Sequence, residues 1–101
     1  MMALTIGKGR RRHRALVELY TRENCGLCAR AEQIVADEAK RADVHLIDID
    51  ESDELVRRYG IRVPVVVVDG REVAEGQVQP GEVRDALRRA RRGRWSEWRR
   101  A

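Results

Sequence analysis

Ala15-Leu16-Val17-Glu18-Leu19-Tyr20, then Thr21-Arg22-Glu23-Asn24, then Cys25-Gly26-Leu27-Cys28: these fourteen residues decide the fold. The first six are largely apolar, β-branched or aromatic, and have the length of a strand. The next four form a polar connector. Asn24 is a favoured N-cap residue, so the stretch predicts a helix that opens at Cys25. That helix is expected to run to about Arg41, with Leu27, Ala31, Ile34 and Val35 near helical spacing. Two thiols are thereby placed at the turn from a first strand into a first helix.

Downstream, Val44–Ile49 has the length of a buried strand. Ser52 reads as an N-cap, with Asp53 and Glu54 in the first turn and Arg57 and Arg58 in the last, which suits the helix dipole at both ends. Gly60 supplies the stop. Val63–Val68, interrupted only by Pro64, is a third strand, and Asp69-Gly70 is the strongest short hairpin signal in the chain. Arg71–Glu75 completes that hairpin. Pro80 suits the first turn of a last helix with Val83, Ala86, Leu87 and Ala90 on one face. The order β-α-β-α-β-β-α predicts a parallel pair joined by a right-handed crossover plus an antiparallel hairpin. That is an α/β fold with a four-stranded mixed sheet between helices, in three layers.

The chain has 101 residues, two Trp, two Tyr and no Phe, so branched aliphatics must build the core. No apolar run approaches the roughly eighteen residues of a membrane helix. Residues 1–14 are basic without an apolar stretch, which argues against a secretory leader. The net charge of +4 conceals a segregation. Residues 15–90 hold eleven Lys/Arg against sixteen Asp/Glu, whereas residues 1–14 hold five basic residues and residues 91–101 hold five with Glu97 alone opposing them. The body is acidic and the ends are basic. The expected division is a domain over 15–90, a basic arm over 1–14 and a basic segment over 91–101 that carries Trp95 and Trp98. Basic residues beside aromatics suit a packed helix extension, a free tail, or an interface with protein, anionic membrane or nucleic acid. As a whole-protein reading, nucleic-acid binding is disfavoured, because the basic excess belongs to the ends.

Two cysteines three apart close too small a loop to staple a fold, which favours reactivity in a reducing, cytoplasmic setting. A thiolate is the nucleophile, and a helix N-terminus favours it through unpaired amides and the positive end of the dipole. Cys25 has that position; Cys28, one turn deeper, does not. The roles follow: Cys25 attacks a disulfide, and Cys28 then attacks the Cys25 sulfur to release the reduced product. Zinc would need four ligands, and the only histidines are His13 and His45, so no metal site is expected.

Thr21-Arg22-Glu23-Asn24-Cys25-Gly26-Leu27-Cys28, Asp48-Ile49-Asp50, Tyr59-Gly60-Ile61-Arg62-Val63-Pro64-Val65 and Asp69-Gly70 together resemble the glutaredoxins of the thioredoxin fold. More narrowly, they resemble compact bacterial glutaredoxin-like proteins whose dithiol ends in Leu-Cys. The resemblance covers about residues 15–90. It implies a cis Val63–Pro64 bond beside the dithiol, with the backbone of Val63 open to an extended substrate strand or to glutathione. It places Arg22 where glutaredoxins hold a glutathione carboxylate, although the residue alone reads equally as a solvated charge. Gly76 retains one glycine of a family Gly-Gly pair, and the acid that usually follows is missing. Leu27 replaces the usual aromatic of the motif, and Leu19 stands where thioredoxins carry a buried acid. The expected function is thiol–disulfide oxidoreduction on a protein or glutathione mixed disulfide. No bound cofactor is expected; glutathione or a reductase would supply electrons. A redox sensor or adaptor and a dimeric iron–sulfur-binding protein are the alternatives.

Overall fold

The computed structural model describes residues 14–91. The chain runs β1 (Leu16–Thr21), α1 (Gly26–Glu38), β2 (Asp43–Asp48), a 3-10 turn (Ile49–Glu51), α2 (Asp53–Tyr59), β3 (Val65–Val68), β4 (Arg71–Glu75) and α3 (Glu82–Arg91). The strands form one sheet in the order β2-β1-β3-β4. β1 is parallel to β2 and antiparallel to β3, and β3 is antiparallel to β4. This is the expected thioredoxin-like α/β architecture.

Alternation along the central strands sorts side chains to the two faces. Val17 and Leu19 of β1, with Val66 and Val68 of β3, join Ala31, Ile34 and Val35 of α1 and Val83, Ala86 and Leu87 of α3 in one aliphatic cluster. Val65 and Val67 turn the other way and pack with Ile49 and Tyr59, with Tyr20 alongside. Because both sheet faces are covered at β3, its four valines are all buried. The hairpin forms at Asp69 and Gly70, both at positive φ (49° and 84°), and the Asp69 carboxylate accepts from the Leu16 amide at 2.9 Å. Glu38, at the end of α1, accepts from the Gly81 and Arg84 amides at 2.6 and 3.0 Å, supplying partners for the open start of α3 and tying the two helices together.

Several details differ from the sequence-based expectation. The first helix stops at Glu38 and not near Arg41. β2 begins at Asp43 and ends at Asp48, with Ile49 in the 3-10 turn. It is also not buried: Asp43 through Leu46 are exposed, because among the described residues β2 is an edge strand with β1 as its one strand neighbour. β3 starts at Val65, after Pro64, which can offer no amide to a ladder. Gly60 caps α2 in right-handed conformation (φ −53°), so its value is space and not a left-handed turn: a Cβ there would lie 2.5 Å from the Val56 carbonyl oxygen. Pro80 precedes α3 instead of lying in its first turn. The arm, and Trp95 and Trp98 of the C-terminal segment, lie outside the described residues. No described helix is long and apolar enough to cross a membrane.

Candidate functional site

The two cysteines are held at the junction the sequence indicated, but by a different cap. Asn24 adopts φ 56°, a left-handed conformation its short polar side chain tolerates. That turn hands the capping position to Cys25, whose backbone is extended (φ −128°, ψ 110°). The Cys25 sulfur accepts from the Cys28 amide at 3.2 Å, so it is the atom that meets the open amides of α1. Cys25 is partly exposed, in a shallow depression lined by Arg22, Glu23, Asn24, Gly26, Ala29 and Glu32. Cys28 is fully buried behind it. Burial, then the bond with the Cys25 sulfur, push the Cys28 thiol up; the Arg22 backbone amide and the Thr21 side chain pull the other way.

The remaining expected site residues gather at the same end of the sheet. Tyr20 pairs with Val65, so Pro64 lies beside the end of β1 that leads to Cys25. The Val63–Pro64 bond is cis. Val63 is only half open: its amide already donates to the Tyr59 carbonyl at 3.0 Å, which leaves its carbonyl to offer. Gly76 (φ 71°) donates to the Pro64 carbonyl at 2.8 Å and so backs the proline loop. Arg22 lines the depression but is already engaged. Its guanidinium grips both oxygens of Asp50, at 2.6 and 3.2 Å, and reaches the Gly60 carbonyl at 3.5 Å. That pairing holds the Asp50 carboxyl below its ordinary range.

Comparison with known proteins agrees with this arrangement. Residues 16–88 match the family described as the glutaredoxin-like domain. The chain belongs to the glutaredoxin-like domain family. It is 30% identical over 83 residues to a probable thioredoxin of Archaeoglobus fulgidus, a match covering 77% of this chain and 91% of that one. Among solved structures, a structural-genomics target protein from X. campestris superposes with a TM-score of 0.62 at 32% identity, covering 71% of this chain and 95% of that one. A thioredoxin variant from Halobacterium salinarum gives 0.58 at 31%, covering 76% and 74%. Fold, family and the paired thiols together support a thiol redox role.

The glutaredoxin-like chain also has side-chain pairings at the site that the sequence did not single out. Thr21 is buried and donates its hydroxyl proton to Glu32 Oε2 at 2.9 Å. It continues the Val17 and Leu19 face of β1, so it points at α1. Glu32 lies four residues after Cys28, one turn along the same helix face; that spacing was the available signal. Asp50 belongs to the Asp48-Ile49-Asp50 stretch already noted, but its pairing with Arg22 carried no signal, because the two are 28 positions apart. A larger hollow of about 770 Å³ lies at the far end of β1, between Arg14, Lys40, Arg41, Arg84 and Arg91. Size does not make it the thiol site, since neither cysteine lines it.

Proposed function

We propose that this glutaredoxin-like chain is a dithiol–disulfide oxidoreductase in which Cys25 attacks and Cys28 resolves. The observation that carries the reading is the unequal placement of the two sulfurs. Cys25 sits partly open at the start of a helix, its sulfur meeting the Cys28 amide, and Cys28 waits buried one turn below. The Cys25 thiolate attacks one sulfur of a substrate disulfide, and the other sulfur leaves as a thiolate. The Cys28 thiolate then attacks Cys25 and expels the remaining substrate sulfur, leaving a Cys25–Cys28 disulfide. Glutathione or a reductase returns two electrons to restore the dithiol. A reducing compartment such as the cytoplasm suits that cycle.

A protein disulfide is favoured over a small glutathione mixed disulfide as substrate. Arg22 is occupied by Asp50, while Leu27, between the cysteines, and Ile61, beside Gly60, are exposed apolar side chains suited to a protein surface. The Val63 carbonyl can accept from an extended substrate backbone. The deciding experiment is a trap. A Cys28→Ser variant is expected to accumulate a mixed disulfide with an oxidised protein substrate, and a Cys25→Ser variant to form none. Equal trapping by the two variants would sink the assignment. Comparing glutathione with thioredoxin reductase as electron source then fixes the donor.

A further inference from the structure

Resolution requires Cys28 to lose a proton from a fully buried site whose surroundings push its thiol up. The central strand offers no acid for this, since Leu19 is buried on the face where one would have to stand. We infer that Glu32 accepts the Cys28 proton through the Thr21 hydroxyl. The inference rests on the dithiol reading above and adds the residue that makes its second step possible near neutral pH.

The grouping of Cys28, Thr21 and Glu32 suits a proton relay. Thr21 is hydrogen-bonded to Glu32 at 2.9 Å, Glu32 stands one turn along α1 from Cys28, and the Thr21 hydroxyl acts on the Cys28 sulfur. A hydroxyl has one proton to give and lone pairs to receive another. With its proton directed at Glu32, the Thr21 oxygen can receive one from the Cys28 thiol, and the same hydroxyl, turned to donate to the resulting thiolate, favours the charged form. Transfer along this relay converts Cys28–SH and a Glu32 carboxylate into a Cys28 thiolate and a Glu32 carboxylic acid, with Thr21 unchanged. The thiolate then closes the bond to Cys25, and the substrate sulfur departs with the electron pair. Glu32 suits the task because it is half-buried at the rim of the depression. From there it can return the proton to water after each turnover. The other charged or titratable groups near this corner are Arg22, Glu23, Cys25 and Asp48, the β2 residue paired with Thr21, with Asp50 held by Arg22. Arg22 is the one cation among them, and its charge acts on Cys28. It steadies a thiolate there but cannot take up a proton.

An aromatic disulfide, 5,5′-dithiobis(2-nitrobenzoate), separates the two steps, since each releases one coloured thiolate. Stopped-flow traces of the reduced full chain from pH 5 to 9 should show two releases. In Glu32→Gln the second release is expected to slow about tenfold or more at pH 7, the scale of a lost proton acceptor, and to rise with hydroxide concentration. The first release, followed in a Cys28→Ser background, should not slow. Glu32→Asp and Thr21→Ser should recover part of the loss, while Thr21→Val should reproduce it. A second release in Glu32→Gln at the wild-type rate overturns the relay alone. So does a slower release with the wild-type pH profile, which would mark a purely structural role. A wild-type chain giving a single release would overturn the dithiol reading itself.

Discussion

The two faces of the sheet are built differently, and the contrast explains how this small domain supports a reactive end. Beneath α1 and α3 lies a cluster of fourteen buried residues, all aliphatic. On the opposite face the buried cluster among the described residues is Ile49, Tyr59, Val65 and Val67, under the seven-residue helix α2. A short helix covers little, and this face is completed by rings and cations. Tyr20 stacks on Tyr59 with centroids 4.2 Å apart and planes 19° from parallel, and Arg62 lies 5.3 Å from the Tyr59 centroid. Arg62 in turn bridges Glu72 and Glu75 at 2.8 and 2.9 Å. The helix carrying the dithiol thus stands on the dry face. The loop carrying Pro64 leaves the face that depends on charge. Packing changes should dominate on the first, and pH on the second.

The largest effect is expected from Leu19→Ala. Leu19 is fully buried in the aliphatic cluster, so the loss combines transfer free energy with a cavity and should fall in the range of about 2–5 kcal/mol by urea denaturation. A loss below about 1 kcal/mol would mean that the face collapses around the gap and is not the rigid base described here.

That distinction between faces was legible in part before any coordinates. The order β-α-β-α-β-β-α marked a mixed sheet between helices, the valine-rich stretch at 63–68 marked its third strand, and Asp69-Gly70 marked the hairpin. The exposure of β2 was not legible. Val44, Leu46 and Ile47 look like a buried strand by composition, and only strand order reveals an edge. At the site, Cys25 and Cys28 were legible because their chemistry depends on local spacing. The cap was misread because Asn suits both an N-cap and a left-handed turn, and nothing local tells which it takes. Thr21–Glu32 and Arg22–Asp50 join residues 11 and 28 positions apart, so each exists only once β1 has been laid against its neighbours.

A smaller effect should come from alkali and act through the ringed face. Burial first, and the Glu18 charge next, push the Tyr20 hydroxyl from 10.0 up to about 12. Unfolded, the same hydroxyl ionises near pH 10. Between those values the folded chain holds a proton that the unfolded chain has lost, so stability contributed by this group is intact below about pH 10 and falls as pH rises toward 12. Tyr20→Phe should flatten the alkaline limb of a stability–pH curve. A limb equally steep in the variant would assign the loss to other groups.

The smallest effect is expected at the acid end, from the carboxylates that finish the same face. The Arg62 hydrogen bond holds the Glu72 carboxyl below its ordinary range. The sign is therefore opposite to that of Tyr20. The folded chain gives up this proton more readily than the unfolded chain, so the contribution is present above the ordinary glutamate range and is lost as pH falls through the lower, folded value. The pair is substantially exposed, with side-chain accessibilities of 29% and 45%, so solvent and salt screen it and the gain is modest. Arg62→Met keeps the apolar stem over Tyr59 while removing the charge. It should make stability less sensitive to pH below about 5 and less sensitive to added salt, while leaving the Leu19→Ala loss unchanged. A non-additive double variant would show the two faces to be coupled through β3, the strand whose valines belong alternately to both.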